Sequence, residues 1–160
     1  MRRGLLALAL ALGLWGCGNG SEVEELKTYI KTIQQFADYN EQVENYIVRF
    51  DDPTASITEA DVAAARKLLA DYAAAVQVIE EPDESTLRNT HGLYARSFEE
   101  AQRVANAEAD DLRDRAHNAA IGLRKLRSAV EGRFYPTMDV LMGRRDLTGD
   151  EWTLAWPSDD

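Results

Sequence analysis

The chain is short of the residues from which most enzymes and metal proteins build their sites. Its 160 residues include one cysteine and two histidines. One cysteine cannot form an internal disulfide, and it cannot supply a cluster of thiolate ligands. Basic residues are also scarce, since 18 lysines and arginines face 28 aspartates and glutamates, for a net charge of −10. This balance argues against nucleic acid as a partner, because phosphates require a basic face. The length predicts a single domain.

The short motifs that carry catalysis or cofactor binding are missing as well. The sequence has no glycine-rich phosphate loop, no dinucleotide fingerprint, no nucleophile elbow and no haem attachment site. The nearest approach to a di-iron ligand pair is Asp114-Arg-Ala-His117, in one copy, whereas a di-iron bundle needs Glu-x-x-His on two helices. We therefore predict a protein with no catalytic residues, no cofactor and no metal site.

The N-terminal residues have the layout of a secretory signal. Two arginines precede an apolar run of eleven residues, from Leu5 to Trp15. This run is too short to span a bilayer, which takes about 20 residues. Leu14, Gly16 and Cys17 resemble the lipobox of bacterial lipoproteins, Leu-small-Gly/Ala-Cys, although Trp15 stands where that family has a smaller or β-branched residue.

The lipoprotein resemblance covers residues 1–17 and implies a processing route. A signal peptide of residues 1–16 would be cleaved after Gly16, and Cys17 would carry a diacylglycerol thioether and an acylated amine. The protein would then be lipid-anchored in the bacterial cell membrane or outer membrane, with residues 17–21 as a tether and the body facing the periplasm or the exterior. Two or three acyl chains anchor a protein far more firmly than one. An ordinary signal peptide with a chance cysteine, or an uncleaved anchor, is the alternative.

The rest of the chain predicts helices, because apolar residues recur at steps of three and four. One helix is expected at 22–50, ended by Pro53, and another at 58–81, where Thr58 and Asp61 form a capping-box pattern. The segment 84–134 has no proline and is either one long helix with a stutter or two helices with a break near 106–110. The local sequence favours continuity, since Asn106 and two aspartates are weak turn signals.

The C-terminal tail, 135–160, follows a different pattern. Leu147–Trp152 repeats the capping-box and staple pattern, which predicts a short terminal helix with Trp152 and Trp156 on one face. We therefore predict an all-α fold, an up-and-down antiparallel bundle of three to four helices over 22–134, with a short helix in the tail.

Charge is distributed unevenly along the chain. Residues 113–145 contain eight basic and three acidic side chains, whereas residues 146–160 contain five acids and no base. The basic residues could pair with acidic neighbours inside the bundle. Alternatively, they form a face for an acidic partner or for lipid headgroups. The candidate partner-binding residues are Arg124, Lys125, Arg127 and Arg133.

The sequence thus favours a protein that acts by position and contact. The leading hypothesis is a protein–protein interaction or structural role in the cell envelope. The alternative is a small-ligand or stress-sensing bundle with a pocket among the tyrosines at positions 29, 39, 46, 72 and 94. A metal-dependent activity at His91 or His117 is the least favoured hypothesis.

Overall fold

The computed structural model describes residues 18–157, with side chains from residue 20 onward, and these residues form helices and no strand. The prediction of an all-α fold is confirmed. A π turn (Val130–Phe134) joins the last two helices without a break, and a 3-10 turn (Asp150–Trp152) lies in the tail. The α-helices are α1 (Gly18–Gln34), α2 (Ala37–Asp51), α3 (Glu59–Gln77), α4 (Ser85–Ala105), α5 (Leu112–Ala129) and α6 (Tyr135–Gly143).

Helices α2 to α5 pack as the predicted up-and-down bundle. At one end of the α2–α3 pair, Arg49 hydrogen-bonds Asp61, and further along Tyr72 donates to Asn40, so the two helices run antiparallel. Helices α3 and α4 are also antiparallel, since the Gln102 amide donates to the Leu69 carbonyl and the Tyr72 hydroxyl hydrogen-bonds the Tyr94 hydroxyl. None of the helices in residues 18–157 is both long enough and apolar enough to cross a membrane.

The start of α3 is as the sequence predicts. The Thr58 hydroxyl accepts a hydrogen bond from the Asp61 backbone N–H at 3.3 Å, and the Asp61 carboxylate accepts from the Thr58 N–H at 2.8 Å. The two residues form a complete capping box, which satisfies N–H groups that a helix start otherwise leaves without partners. The helix ends at Gln77, four residues before the expected end.

The single helix predicted over 22–50 is wrong, because the chain breaks between α1 and α2. The N–H groups of Gln35 and Phe36 bond to carbonyls three residues back, which tightens the last turn of α1. Thr28 and Thr32 bond their hydroxyls to carbonyls four residues back, an arrangement that bends helices. No glycine or proline marks the break. The helix also begins at Gly18, so residues expected in the tether belong to its first turn.

The continuous helix favoured over 84–134 is also wrong, and the alternative with a break is correct. The chain turns at 106–111, where Asp111 caps α5 by accepting from the Asp114 N–H at 2.8 Å. Folding back places Gly122 so close to α4 that a Cβ there would lie 2.6 Å from the Ala105 Cβ and 2.7 Å from the Ala101 carbonyl oxygen. The small residues on both helices explain why the fold-back is stable, because close packing buries both apolar stripes.

The tail differs from the terminal helix predicted around Trp152. Only one 3-10 turn forms, Gly149 replaces Thr148 at its start, and Trp156 lies beyond it in extended chain. Trp156 is nonetheless buried, and its indole N–H donates to the Glu44 carboxylate at 2.9 Å. The Gln34 amide donates to two tail carbonyls, so the tail is fastened to α1 and α2.

The π turn keeps one face of the α5–α6 rod in the core. Its buried residues are spaced by four, at Leu126, Val130, Phe134, Met138 and Met142. A regular helix advances about 40° past a full turn with each step of four residues, so such a stripe would wind off the core. The π turn is wider than a regular turn and holds one more residue, since the Tyr135 N–H bonds the Val130 carbonyl five residues back. The residues that follow it therefore return to the buried face. The π turn also accommodates Pro136, which cannot donate a backbone hydrogen bond.

A chain of polar groups crosses the centre of the bundle. The Tyr72 hydroxyl donates to Asn40 Oδ1 at 2.8 Å and lies 2.7 Å from the Tyr94 hydroxyl, while Asn40 Nδ2 donates to the Tyr135 hydroxyl at 2.8 Å. Burial raises the pKa of Tyr72 and Tyr94 well above the ordinary value, and that of Tyr135 to about 12. These phenols therefore stay neutral, and their hydrogen bonds fix how four helical segments pack.

Candidate functional site

The α4–α5 groove is a concave surface on the described part of the chain. It has a volume of about 400 Å³ and lies between α4 and the rod formed by α5, the π turn and α6. Four of its residues, Lys125, Ala129, Arg133 and Thr137, again follow a spacing of four. The π turn that keeps Phe134 in the core therefore also keeps Arg133 and Thr137 on the groove.

The floor of the groove is aromatic and rigid. The rings of Tyr94 and Phe134 are stacked, with centroids 4.1 Å apart and planes inclined by 8°. Both residues are nearly inaccessible, whereas Leu93 on the rim of the same groove is 60% exposed. The apolar surface that the groove offers to another molecule therefore includes Leu93, and the aromatic rings lie beneath it.

Arginines lie on both sides of this floor. Arg96 of α4 and Arg133 of the π turn are exposed, and neither guanidinium makes an ion pair or hydrogen bond within residues 18–157. The acid of the groove is already engaged, because Glu100 accepts two hydrogen bonds from Arg103 and one from Lys125. These cations lower the pKa of Glu100, so it is ionised and paired at neutral pH.

The four basic residues predicted as one face are divided between two sides of the rod. Lys125 and Arg133 line the groove, whereas Arg124 and Arg127 contact α2. Arg124 pairs with Asp51, and Arg127 pairs with Glu44. The carboxylate of Glu44, 8% exposed, accepts from Arg127 at 2.8 Å. Lys125 also pairs with Glu100 of α4, so three of the four candidate residues form ion pairs between helices.

Neither histidine belongs to a cluster of metal ligands. His91 Nδ1 lies 3.1 Å from the Tyr29 hydroxyl in a half-buried contact between α1 and α4, and burial lowers its pKa. His117 is exposed on α5. Over the described residues, no three His, Cys, Asp or Glu side chains come together as a metal site.

Three of the five tyrosines on the predicted seams, Tyr29, Tyr72 and Tyr94, are buried. Tyr72 and Tyr94 are packed against Phe98 in the core, and Tyr39 stacks on Tyr72 with centroids 4.7 Å apart. Of these three packed tyrosines, Tyr94 lines the α4–α5 groove.

A second, more open groove of about 840 Å³ lies between α1 and the α3–α4 connection. Two of its carboxylates have structural roles. Glu25 accepts from the backbone N–H groups of Asp83 and Glu84, and the Glu84 carboxylate caps α4 by accepting from Thr86 and Leu87. These two residues hold the α3–α4 connection against α1.

Arg96 is the residue of the α4–α5 groove that sequence reasoning missed. It is one of three separated arginines on α4, with two glutamates nearby and no run of basic residues, whereas Arg133 belongs to a visibly basic segment. Only the fold-back of α5 on α4 brings the two together. The predicted lipid-attachment residue Cys17 and the cleavage position Gly16 lie outside the described residues. No protein-family model, curated protein or solved structure matches the chain.

Proposed function

We propose that this protein is a lipid-anchored, non-catalytic binding protein of the bacterial cell envelope. The observation that carries the anchor is the position of the sole cysteine, Cys17, directly after an apolar run, Leu14 and Gly16. Acyl chains on one residue would hold the body at a membrane, although none of the described helices spans one. Location is then set by the lipid, and the helices present the binding surface.

Metabolic labelling with a palmitate analogue tests the anchor. We expect the wild-type chain to be labelled and to float with membranes in a density gradient, and Cys17→Ala to do neither. Asn19→Ala is the matched control, since it alters a residue just beyond the lipobox and should behave as wild type. A Cys17→Ala protein that is still labelled and membrane-bound would show that the anchor is something else.

The binding role is assigned to the α4–α5 groove, with a protein partner as the first candidate. A photo-crosslinking amino acid at Leu93, on the rim, should capture the partner in cells. The same amino acid at Val48 is the matched control, because Val48 is 49% exposed and lies on α2, away from the groove. Equal capture from both positions, or capture from Val48 alone, would place the partner elsewhere.

A small-ligand role is the second candidate, and the dimensions of the groove favour it. A volume of about 400 Å³ falls within the range of about 300–1,000 Å³ of small-molecule sites. An apolar floor with a few polar groups around it is the usual composition of such sites.

A further inference from the structure

We infer that the α4–α5 groove binds a small amphipathic organic anion, with its oxyanion group between Arg96 and Arg133 and its apolar part against Leu93, above the Tyr94–Phe134 floor. The assignment rests on the binding role proposed above and is independent of the lipid anchor. The oxyanion is a carboxylate or a phosphate monoester, because a guanidinium forms paired hydrogen bonds with either.

The polar groups of the groove that remain unused are hydrogen-bond donors. Arg96 and Arg133 have no partners within residues 18–157, and the Ser128 hydroxyl has none there either. Ser97 and Thr137 donate their hydroxyl hydrogens to backbone carbonyls of the groove's own helices. Since Glu100 is already paired, a ligand in the groove meets an excess of donors and positive charge.

The net negative charge of the whole chain limits which anions can bind in the groove. The chain carries a net charge of −10, so an extended polyanion would be repelled over most of its length. A small anion avoids that repulsion, because it can lie entirely within the groove. An anion with no apolar part would leave the exposed Leu93 side chain in water. An amphipathic anion is therefore the class that satisfies both halves of the site.

The size of the groove limits the apolar part to one ring or a short chain. At about 400 Å³ the groove is near the small end of ligand sites. The stacked rings of the floor are fixed by core packing, so the floor is formed before the ligand arrives. A pre-formed floor loses little conformational entropy on binding, and the entropic cost falls on the two exposed arginines.

Titration of the full-length, detergent-solubilised protein with 4-phenylbutyrate, followed by ligand-observed NMR, tests the inference. We expect saturable binding that weakens at least about tenfold with 4-phenylbutanamide, because the neutral amide forms no charged hydrogen bond with the arginines. A parallel titration with 2-phenylethyl phosphate shows which oxyanion the groove prefers. Acetate and inorganic phosphate, which lack the apolar part, should show no saturable binding.

Variants connect the binding to the groove. Arg96→Gln and Arg133→Gln should each weaken 4-phenylbutyrate at least about tenfold. Ser128→Trp should abolish binding by filling the groove from an exposed position. Arg113→Gln is the matched control, since Arg113 is exposed on α5, outside the groove, and its loss should change affinity less than about twofold. Circular dichroism melts confirm that every variant is folded.

Several results would overturn the inference. These are equal binding of acid and amide, equal loss in Arg113→Gln, or no saturable binding of any amphipathic anion. Capture of a protein at Leu93 without anion binding would leave the proposed binding role standing and would refute only the ligand class. Loss of membrane anchoring in the labelling experiment would bear on neither the groove nor its ligand.

Discussion

Replacing Gly122 with alanine tests how closely α4 and α5 approach. An added Cβ would lie 2.6 Å from the Ala105 Cβ, 2.7 Å from the Ala101 carbonyl oxygen and 3.0 Å from the Ala105 nitrogen. Carbon atoms in contact prefer about 3.5–4.0 Å, so the helices would have to separate by roughly 1 Å. Two of these three atoms are backbone, which cannot rotate away.

The expected magnitude combines a cost and a gain. Overpacking a well-packed core costs about 1–3 kcal/mol, and backbone contacts place Gly122→Ala at the upper end. Alanine is favoured over glycine in a helix by about 1 kcal/mol, which offsets part of this. The free energy of unfolding should therefore fall by about 2 kcal/mol, a loss of about 4–8 °C in melting temperature for a domain of this size.

Gly92→Ala is the matched comparison, because it makes the same chemical change in α4 without the contact. A Cβ there meets only the end of the Arg96 side chain, at 3.8 Å. Helix propensity alone should then raise the free energy of unfolding by up to about 1 kcal/mol. Urea unfolding of both variants measures the difference. If Gly122→Ala stabilised the protein as much as Gly92→Ala, the close approach of the two helices would be refuted.

Three further outcomes follow from the contacts described. Tyr72→Phe removes the middle of the buried polar chain, leaves Asn40 Oδ1 without its donor and should lower the free energy of unfolding by about 1–3 kcal/mol in urea; no change would mean that the chain is not formed. Trp156→Phe loses the hydrogen bond to Glu44 and should expose the tail to limited proteolysis well before the bundle; an unchanged cleavage rate would contradict this. The pKa of Asp61 is lowered to about 2, chiefly by hydrogen bonds from an arginine and a threonine, so its contribution is complete above its ordinary pKa of 3.8 and is lost as the pH falls through about 2. Asp61→Asn should accordingly flatten melting temperature against pH over that interval, and an unchanged slope would show that other carboxylates dominate it.

The fold class and the helix cap at Thr58 could be predicted from the sequence, because both depend on residues that are close together in the chain. Thr58 and Asp61 form a capping box through contacts only three residues apart, and the apolar steps of three and four identify the buried faces. The break at Gln35 could not be predicted in the same way. The break has no glycine or proline. It lies where the Phe36 ring packs against Tyr72, a residue 36 positions further along the chain.

Only part of the α4–α5 groove could be predicted from the sequence. The basic segment that contains Arg133 is visible from charge alone. Which of its residues line the groove and which pair with α2 depends on how α5 packs against its neighbouring helices. Arg96 gave no signal, because its role requires α5 to fold back beside α4. The fold-back was itself underestimated, because the close contact of Gly122 with Ala101 and Ala105 forms only when α5 lies on α4.

The π turn also makes the length of this segment and its helical geometry depend on each other. Its Glu131, Gly132 and Arg133 are exposed, and exposed positions ordinarily accept small insertions and deletions. Removing one residue here would convert the turn to regular helix and leave everything beyond it in register, because the wide turn holds one extra residue. Regular helix with all residues kept would instead rotate everything beyond the turn by about 100°. Met138 and Met142 would then leave the core, and Thr137 would leave the groove. The extra residue and the wide turn therefore have to be kept or lost together.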